Sequence, residues 1–207
     1  MGRRHPVGTQ LRLYGSMLTQ RQSDIVTGTL LGDGAMRCKQ NALLEINHSV
    51  SQRAYVDWLY AELRNLVGTP PKERNGNGAR VAYRFTTLSL PALTPLFRSF
   101  YPDGKKAIPL ELNLNAMALA IWFMDDGCRS RSSVYLNTQQ FSMADQSNLL
   151  SALDRIGIRG TLNRDKSYYR IRVATGSMPR FAALVRPHIL PQMRYKLPPY
   201  ASTTATL

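Results

Sequence analysis

Cysteine, histidine and negative charge are all scarce in this 207-residue chain. The two cysteines, Cys38 and Cys128, lack the paired spacing of a zinc knuckle or a disulfide framework. Each comes shortly after an Asp-Gly pair, where a small buried side chain fits, so both are expected to be reduced and structural. The three histidines, His5, His48 and His188, show no ligand spacing, which argues against a structural zinc site. The longest apolar stretch, Leu112 to Met124, is too short and too interrupted by asparagine for a membrane helix. The opening residues, MGRRHPVGTQ, contain no apolar signal core. An intracellular location is therefore expected, in a prokaryotic cytoplasm or an organelle.

The shortage of acid leaves 27 Lys+Arg against 13 Asp+Glu, a net charge of +14 and a pI near 10.3. A charge of that size attracts polyanions. The basic residues are spread along the chain rather than gathered in a tail, and 43% of residues are hydrophobic, enough for a folded core. Nucleic acid is the expected partner.

Against that basic background, one acidic phrase occurs twice. Residues 25–34 read Ile-Val-Thr-Gly-Thr-Leu-Leu-Gly-Asp-Gly, and residues 118–127 read Ala-Leu-Ala-Ile-Trp-Phe-Met-Asp-Asp-Gly. Each is an apolar run of about two helical turns ending in a carboxylate and a glycine. The two carboxylates, Asp33 and Asp126, stand 93 positions apart.

The two phrases are succeeded by elements in the same order. After Asp33-Gly34 come strand-like runs at Ala35–Lys39 and Ala42–Val50, the second with Leu44, Ile46 and His48 on one face. A helix over 51–67 is expected through Tyr55, Leu59, Leu63 and Leu66. A Pro/Gly-rich loop, TPPKERNGNG, leads to a strand over Arg80–Leu88 and a helix over Leu90–Phe100. The second half repeats this with strands at Cys128–Arg131 and Ser133–Gln140, a helix over 142–156, and a hairpin, Thr161–Arg164 with Tyr168–Ala174. A helix over Met178–His188 ends it. Tyr83-Arg84-Phe85 is echoed by Tyr169-Arg170-Ile171, and Lys106-Ala-Ile-Pro109 by Lys196-Leu-Pro198. The reading is an α+β pseudo-twofold tandem of two αββαββα units, each with a curved antiparallel sheet. The first half covers 1–104, a linker 105–113, and the second half 114–207.

Gly28 and Gly32 lie one helical turn apart and leave a bare strip on the first motif helix, and Ala116 and Ala120 have the same spacing on the second. Small residues at that spacing let two helix backbones approach closely. Such a pair would bring Asp33 and Asp126 together at the helix ends, where two like charges need cations to neutralise them. Carboxylate oxygens suit Mg²⁺, which shares its shell with water and substrate phosphate.

These phrases resemble the two signature motifs of the LAGLIDADG homing endonucleases, in the single-chain intron-encoded branch. The second half carries the more specific match: Leu119 to Gly127, Tyr135-Leu-Asn-Thr-Gln139 and Leu190-Pro-Gln-Met-Arg-Tyr-Lys-Leu-Pro198 occur in the family's order. The first half matches through the motif at 26–34 and Lys105-Lys106-Ala-Ile-Pro109. Ile121 departs from the motif's glycine, as do Thr27 and Thr29 from its usual residues. Asp125 falls where the motif often has a small residue.

The resemblance implies metal-dependent hydrolysis of double-stranded DNA at a long site, with Asp33 and Asp126 as metal ligands. Mg²⁺ is the expected cofactor, with Mn²⁺ as a substitute. It implies Lys106 and Lys196 as the basic residues near the scissile phosphates, and a monomer that holds both halves of the active centre. The sheets would lie in the major groove. Arg37, Lys39, Arg80, Arg84, Arg129, Arg131, Arg164, Lys166, Arg170 and Arg172 lie on their strands or turns and are the candidate DNA contacts. Alternative readings are an RNA-binding intron maturase, a DNA-binding regulator on the same fold, and a basic ribonucleoprotein component. The regulator predicts loss of one or both acids, and both are present.

Overall fold

The structure is a computed structural model that describes residues 17–76 and 81–199. The first motif forms helix α1 (Gln20–Leu31), opened by a capping box between Thr19 and Gln22. The second forms α4 (Ala116–Asp126), whose first turn is capped by the Asn115 side chain accepting from the Ala118 N–H. Every residue of α4 from Met117 to Asp125 is buried. A helix that is apolar all round belongs in the middle of a fold. α4 packs on α1 along one side and on α6 (Met178–Val185) along another.

Each motif helix leads into a four-stranded antiparallel sheet. β1 (Ala35–Cys38), β2 (Ala42–Ser49), β3 (Lys72–Asn75) and β4 (Val81–Thr86) form the first, in the order β1-β2-β4-β3. β5 (Gly127–Arg129), β6 (Val134–Leu136), β7 (Gly160–Asp165) and β8 (Tyr168–Val173) form the second, in the matching order β5-β6-β8-β7. Helices α2 (Arg53–Glu62) and α3 (Thr94–Phe100) complete the first unit, and α5 (Met143–Arg155) joins α6 in the second. The echo seen in the sequence is a matched register: Phe85 pairs with Ile46, and Ile171 with Leu136. In β2, Ala42, Leu44, Ile46 and His48 point into the core, and Leu43, Glu45, Asn47 and Ser49 away from it. One contiguous apolar core runs through both units.

Three expectations need correction. The TPPKERNGNG segment is not all loop, because β3 lies within it. This edge strand carries no apolar side chain, is exposed throughout, and exists through its pairing with β4 and an Arg53–Glu73 ion pair. The helix expected over 51–67 is divided into α2 and a short 3-10 turn, Arg64–Leu66. The surface facing the glycine strip is not Ala116 and Ala120. Gly28 faces the Ala118 carbonyl and Ile121, and Gly32 faces Asp125. Ala120 is wholly buried and Ala116 is partly exposed at the helix start. The glycines admit Ile121 and Asp125 where small residues were expected on the other helix.

The segment 101–115 contains no helix or strand and is fastened to the second unit. The Ile108 N–H donates to Asp145, Asn148 donates to the Ile108 carbonyl, and Arg155 donates to the Leu112 carbonyl.

A Cβ added at Gly28 would stand 2.5 Å from Ile121 Cβ and 2.6 Å from the Ala118 carbonyl oxygen, so α1 and α4 would have to part. Gly28→Ala is expected to lower stability by about 2 kcal/mol, as overpacking does. Gly176→Ala, where nothing lies within 4 Å, should change it by no more than about 0.5 kcal/mol. Chemical denaturation of both variants checks this, and equal effects would remove the close approach as the cause.

Candidate active site

α1 and α4 end side by side, and that packing places the carboxylates. The Asp33 N–H donates to Asp125 Oδ2 at 3.3 Å across the pseudo-twofold. The Asp33 side chain is half exposed, Asp126 is partly exposed, and Asp125 is buried. Asp125 Oδ1 accepts the Tyr55 hydroxyl at 2.6 Å and lies 3.7 Å from His48 Nε2, while His48 Nδ1 lies 3.5 Å from Asp33 Oδ2. Asp126 Oδ2 receives a long hydrogen bond, 3.4 Å, from Gln140.

Lys106, from the joining segment, and Lys196, from the end of the second half, converge on the ends of the two motif helices. Lys106 Nζ donates to the carbonyls of Gly32 and Gly34, at 2.7 and 2.8 Å, on either side of Asp33. Lys196 Nζ donates to the carbonyls of Met124 and Asp125, just before Asp126. Each lysine thus binds the carbonyl end of a motif helix, where the helix dipole favours positive charge. With two of its three N–H donors engaged, each keeps one for a ligand. Lys105 is exposed, which sets the register of the Lys-Lys pair. Asp33, Asp126, Lys106 and Lys196 are therefore brought together.

Burial pushes both Asp125 and Asp126 up to about 7, and the neighbouring Asp33 adds to both shifts. The Tyr55 hydrogen bond works in the other direction on Asp125. Burial pulls Lys106 down to about 8 against the attraction of the three carboxylates, and lowers Lys196 for the same reason. Crowded carboxylates of this kind suit a hard divalent cation. Among the described residues no three His, Cys, Asp or Glu are placed to hold a metal, so Asp33 and Asp126 would leave much of an ion's shell to water and phosphate.

The other candidates divide by face. On the first sheet, Arg37 and Arg84 point away from the core, each near Glu45. Lys72 and Arg74 join them around an open hollow of about 380 Å³, a contribution missed because β3 was read as loop. Lys39 lies exposed in the turn after β1, and Arg80 falls outside the described residues. On the second sheet, Arg170 and Arg172 occupy the outward face, with Arg170 over the Tyr135 ring at 4.0 Å. Arg164 alternates with them, on the side of Leu162 and Ile171, and bonds the Lys166 carbonyl. Lys166 turns the hairpin at φ 56°. Arg129 is exposed at the end of β5, and Arg131 lies exposed in the next turn. The sequence places His48 on one strand face with Leu44 and Ile46, Tyr55 on one helix face with Leu59, and Asp125 in a supporting place, so none of the three stands among its candidate site residues. The available signal was a polar residue, His48, on an otherwise apolar strand face.

The raised position of Asp126 has a consequence for stability. Between about pH 4 and pH 7 the folded chain keeps a proton that the unfolded chain releases, so this group costs stability as pH rises through that window. In metal-free solution, Asp126→Asn should be more stable than the parent by about 1–3 kcal/mol at pH 8 and no more stable near pH 4. Thermal melting in EDTA at both pH values checks it, and a pH-independent difference would count against the assignment.

Residues 23–181 match the LAGLIDADG DNA endonuclease family. The chain is 25% identical over 202 residues to cytochrome b mRNA maturase bI2 of Debaryomyces hansenii, covering 90% of this chain and 77% of that protein. It is 28% identical over 196 residues to probable intron-encoded endonuclease 1 of Wickerhamomyces canadensis, covering 87% and 85%. It spans about half (48%) of another relative, protein RecA of Mycobacterium gastri. Among solved structures, the homing endonuclease I-WcaI bound to its DNA recognition sequence superposes with a TM-score of 0.82 at 26% identity, over 92% of this chain and 94% of that one. With its two motif helices, its paired sheets and these relatives, the chain belongs to the LAGLIDADG DNA endonuclease family.

Proposed function

We propose that this chain is a site-specific double-strand DNA endonuclease of the intron-homing kind, acting as a monomer on a long asymmetric site. The observation that carries the reading is the meeting of Asp33, Asp126, Lys106 and Lys196 at the ends of the paired helices, between two sheets with basic outward faces. The halves 1–104 and 114–207 each supply one acid and one sheet, the second half supplies Lys196, and the joining segment 105–113 supplies Lys106. I-WcaI, similar over nearly its whole length, is described bound to DNA. A more distant relative of the same fold, I-DmoI, has been solved with DNA and Mn.

In this reading Asp33 and Asp126 hold divalent cations, Mg²⁺ or Mn²⁺, which when bound activate water and stabilise the departing 3′ oxygen. The water oxygen would bond to phosphorus as the bond to the 3′ oxygen breaks, the water giving up a proton and the 3′ oxygen taking one from solvent, to leave a 5′ phosphate and a 3′ hydroxyl. Lys106 and Lys196 keep the acids in place through the helix-end carbonyls and offer their remaining N–H to the phosphate or the attacking water. Arg37, Arg84, Lys72 and Arg74 on one sheet, and Arg170 and Arg172 on the other, contact bases or phosphates along about one turn of duplex each, giving a site of ~20 bp. Action on genomic DNA implies an intracellular location, in a prokaryote or an organelle. A second reading, an RNA-binding maturase role, is favoured by the similarity to two bI2 maturases. Splicing that persists in variants unable to cleave would support it.

Asp33→Asn and Asp126→Asn should each still bind a target selected from a randomised DNA library yet make no double-strand break in Mg²⁺, because most affinity comes from phosphate contacts elsewhere. Full cleavage by both would remove these acids from the mechanism. The parent should sediment as one 23.3 kDa species and bind duplex 1:1.

Lys106→Met and Lys196→Met should slow single-turnover cleavage by ~10²-fold or more, as loss of a group stabilising developing charge does. Either changes the salt slope of binding by at most about one unit. Lys105→Met, its side chain in solvent, should behave as the parent. If all three cut alike, the lysines serve only the fold.

A further inference from the structure

The two halves share a backbone plan but not the layer beneath their acids. Counting from the acids, Gly32 and Asp125 are counterparts, one position before Asp33 and Asp126. The matched sheet register makes His48 and Thr138 counterparts, each two residues beyond Ile46 or Leu136. In the second half the Thr138 hydroxyl donates to Gln146 at 2.9 Å and the Gln146 amide donates to the Phe141 carbonyl at 3.3 Å, a buried set kept within its own half. In the first half the same place holds His48 and Tyr55, ring centroids 5.3 Å apart, with Tyr55 stacked on Trp58. This pair reaches across the pseudo-twofold to Asp125, through the Tyr55 hydroxyl at 2.6 Å.

Asp33 meets that layer at two points. Its N–H bonds Asp125 Oδ2, and its carboxylate faces His48 Nδ1 at 3.5 Å. The Asp126 carboxylate receives the long contact from Gln140, on the exposed side, while its backbone carbonyl accepts from the Asn137 N–H at 3.0 Å within its own half. Among the described residues no buried side chain from the other half reaches it as Asp125 reaches Asp33. Gly32 presents no side chain that could reach back to Asp126.

We propose that His48, Tyr55 and Asp125 are positioning residues that hold Asp33, so that the two strand cuts depend on unequal supports. The inference rests on the endonuclease reading. Loosening this layer disturbs the chemistry served by Asp33 and leaves that served by Asp126 nearly intact, so a double-strand cutter becomes a nicking enzyme with a fixed strand preference.

The test is single-turnover cleavage of a selected duplex labelled on each strand, comparing the parent, Tyr55→Phe and His48→Asn, with Thr138→Val as the counterpart control. Tyr55→Phe removes one oxygen and keeps the ring on Trp58. Both first-half variants should slow one and the same strand about tenfold or more, within the ~10²-fold that lost positioning costs. The other strand should stay within about threefold, and nicked circles should accumulate from supercoiled plasmid. Thr138→Val should leave the strand ratio as in the parent. Without metal, the Asp33 amide resonance should move in Tyr55→Phe and stay in place in Thr138→Val. That measurement, with a melting curve, keeps the test decisive if a variant loses stability. Equal slowing of both strands, no slowing, or an unmoved Asp33 amide overturns the inference and leaves the endonuclease reading standing. A parent that cuts neither strand overturns that reading itself.

Discussion

The close approach of α1 and α4 is the constraint on which the rest of the structure depends. At Gly28 the facing atoms leave no room for a Cβ, and the Ala118 backbone itself forms part of the wall. Helices packed that tightly must end together, so the residues just beyond their last turns share one small space. The packing also sets the cost. Asp33, Asp125 and Asp126 are forced together, two of them with water largely removed, and burial and mutual repulsion hold both Asp125 and Asp126 far above the ordinary carboxylate range.

The surrounding side chains answer that cost. Lys106 and Lys196 bring positive charge to the carbonyl ends of the two helices, and Tyr55 donates to the most deeply buried carboxylate. Partners cross between the halves: Tyr55 on α2 serves Asp125 on α4, and the Asp33 N–H binds Asp125. The Asp125 carboxylate finds both of these partners in the other half, so the centre is a property of the pair of units.

Duplication with divergence shapes the outer surfaces too. Both sheets use one strand order and turn basic residues outward, but with different neighbours. Arg37 and Arg84 share Glu45, whereas Arg170 lies on Tyr135 and near Asp165. The two faces therefore differ in chemistry although they share one backbone plan.

The repeated order of elements, the two acids and the two late lysines were all legible in the sequence, because they arise from local periodicity and from a phrase written twice. Leu44, Ile46 and His48 alternate as a half-buried strand must, and the apolar runs of the motifs form the second half of α1 and nearly all of α4. β3 was not legible: Lys72-Glu-Arg-Asn75 has no apolar pattern and is a strand only because β4 offers a free edge. Nor could periodicity show that Ile121 and Asp125, rather than Ala116 and Ala120, face the glycine strip, since that depends on how one helix is rotated against another. The sequence by itself determined which residues carry charge and in what order the elements come, because those are properties of the chain read locally. Only the tertiary structure decided that Asp125, Tyr55 and His48 form a buried layer beneath Asp33, where the counterpart place in the other half holds Thr138 and Gln146. Contacts between residues 70 and 92 positions apart are fixed by packing across the pseudo-twofold, and no local pattern encodes them.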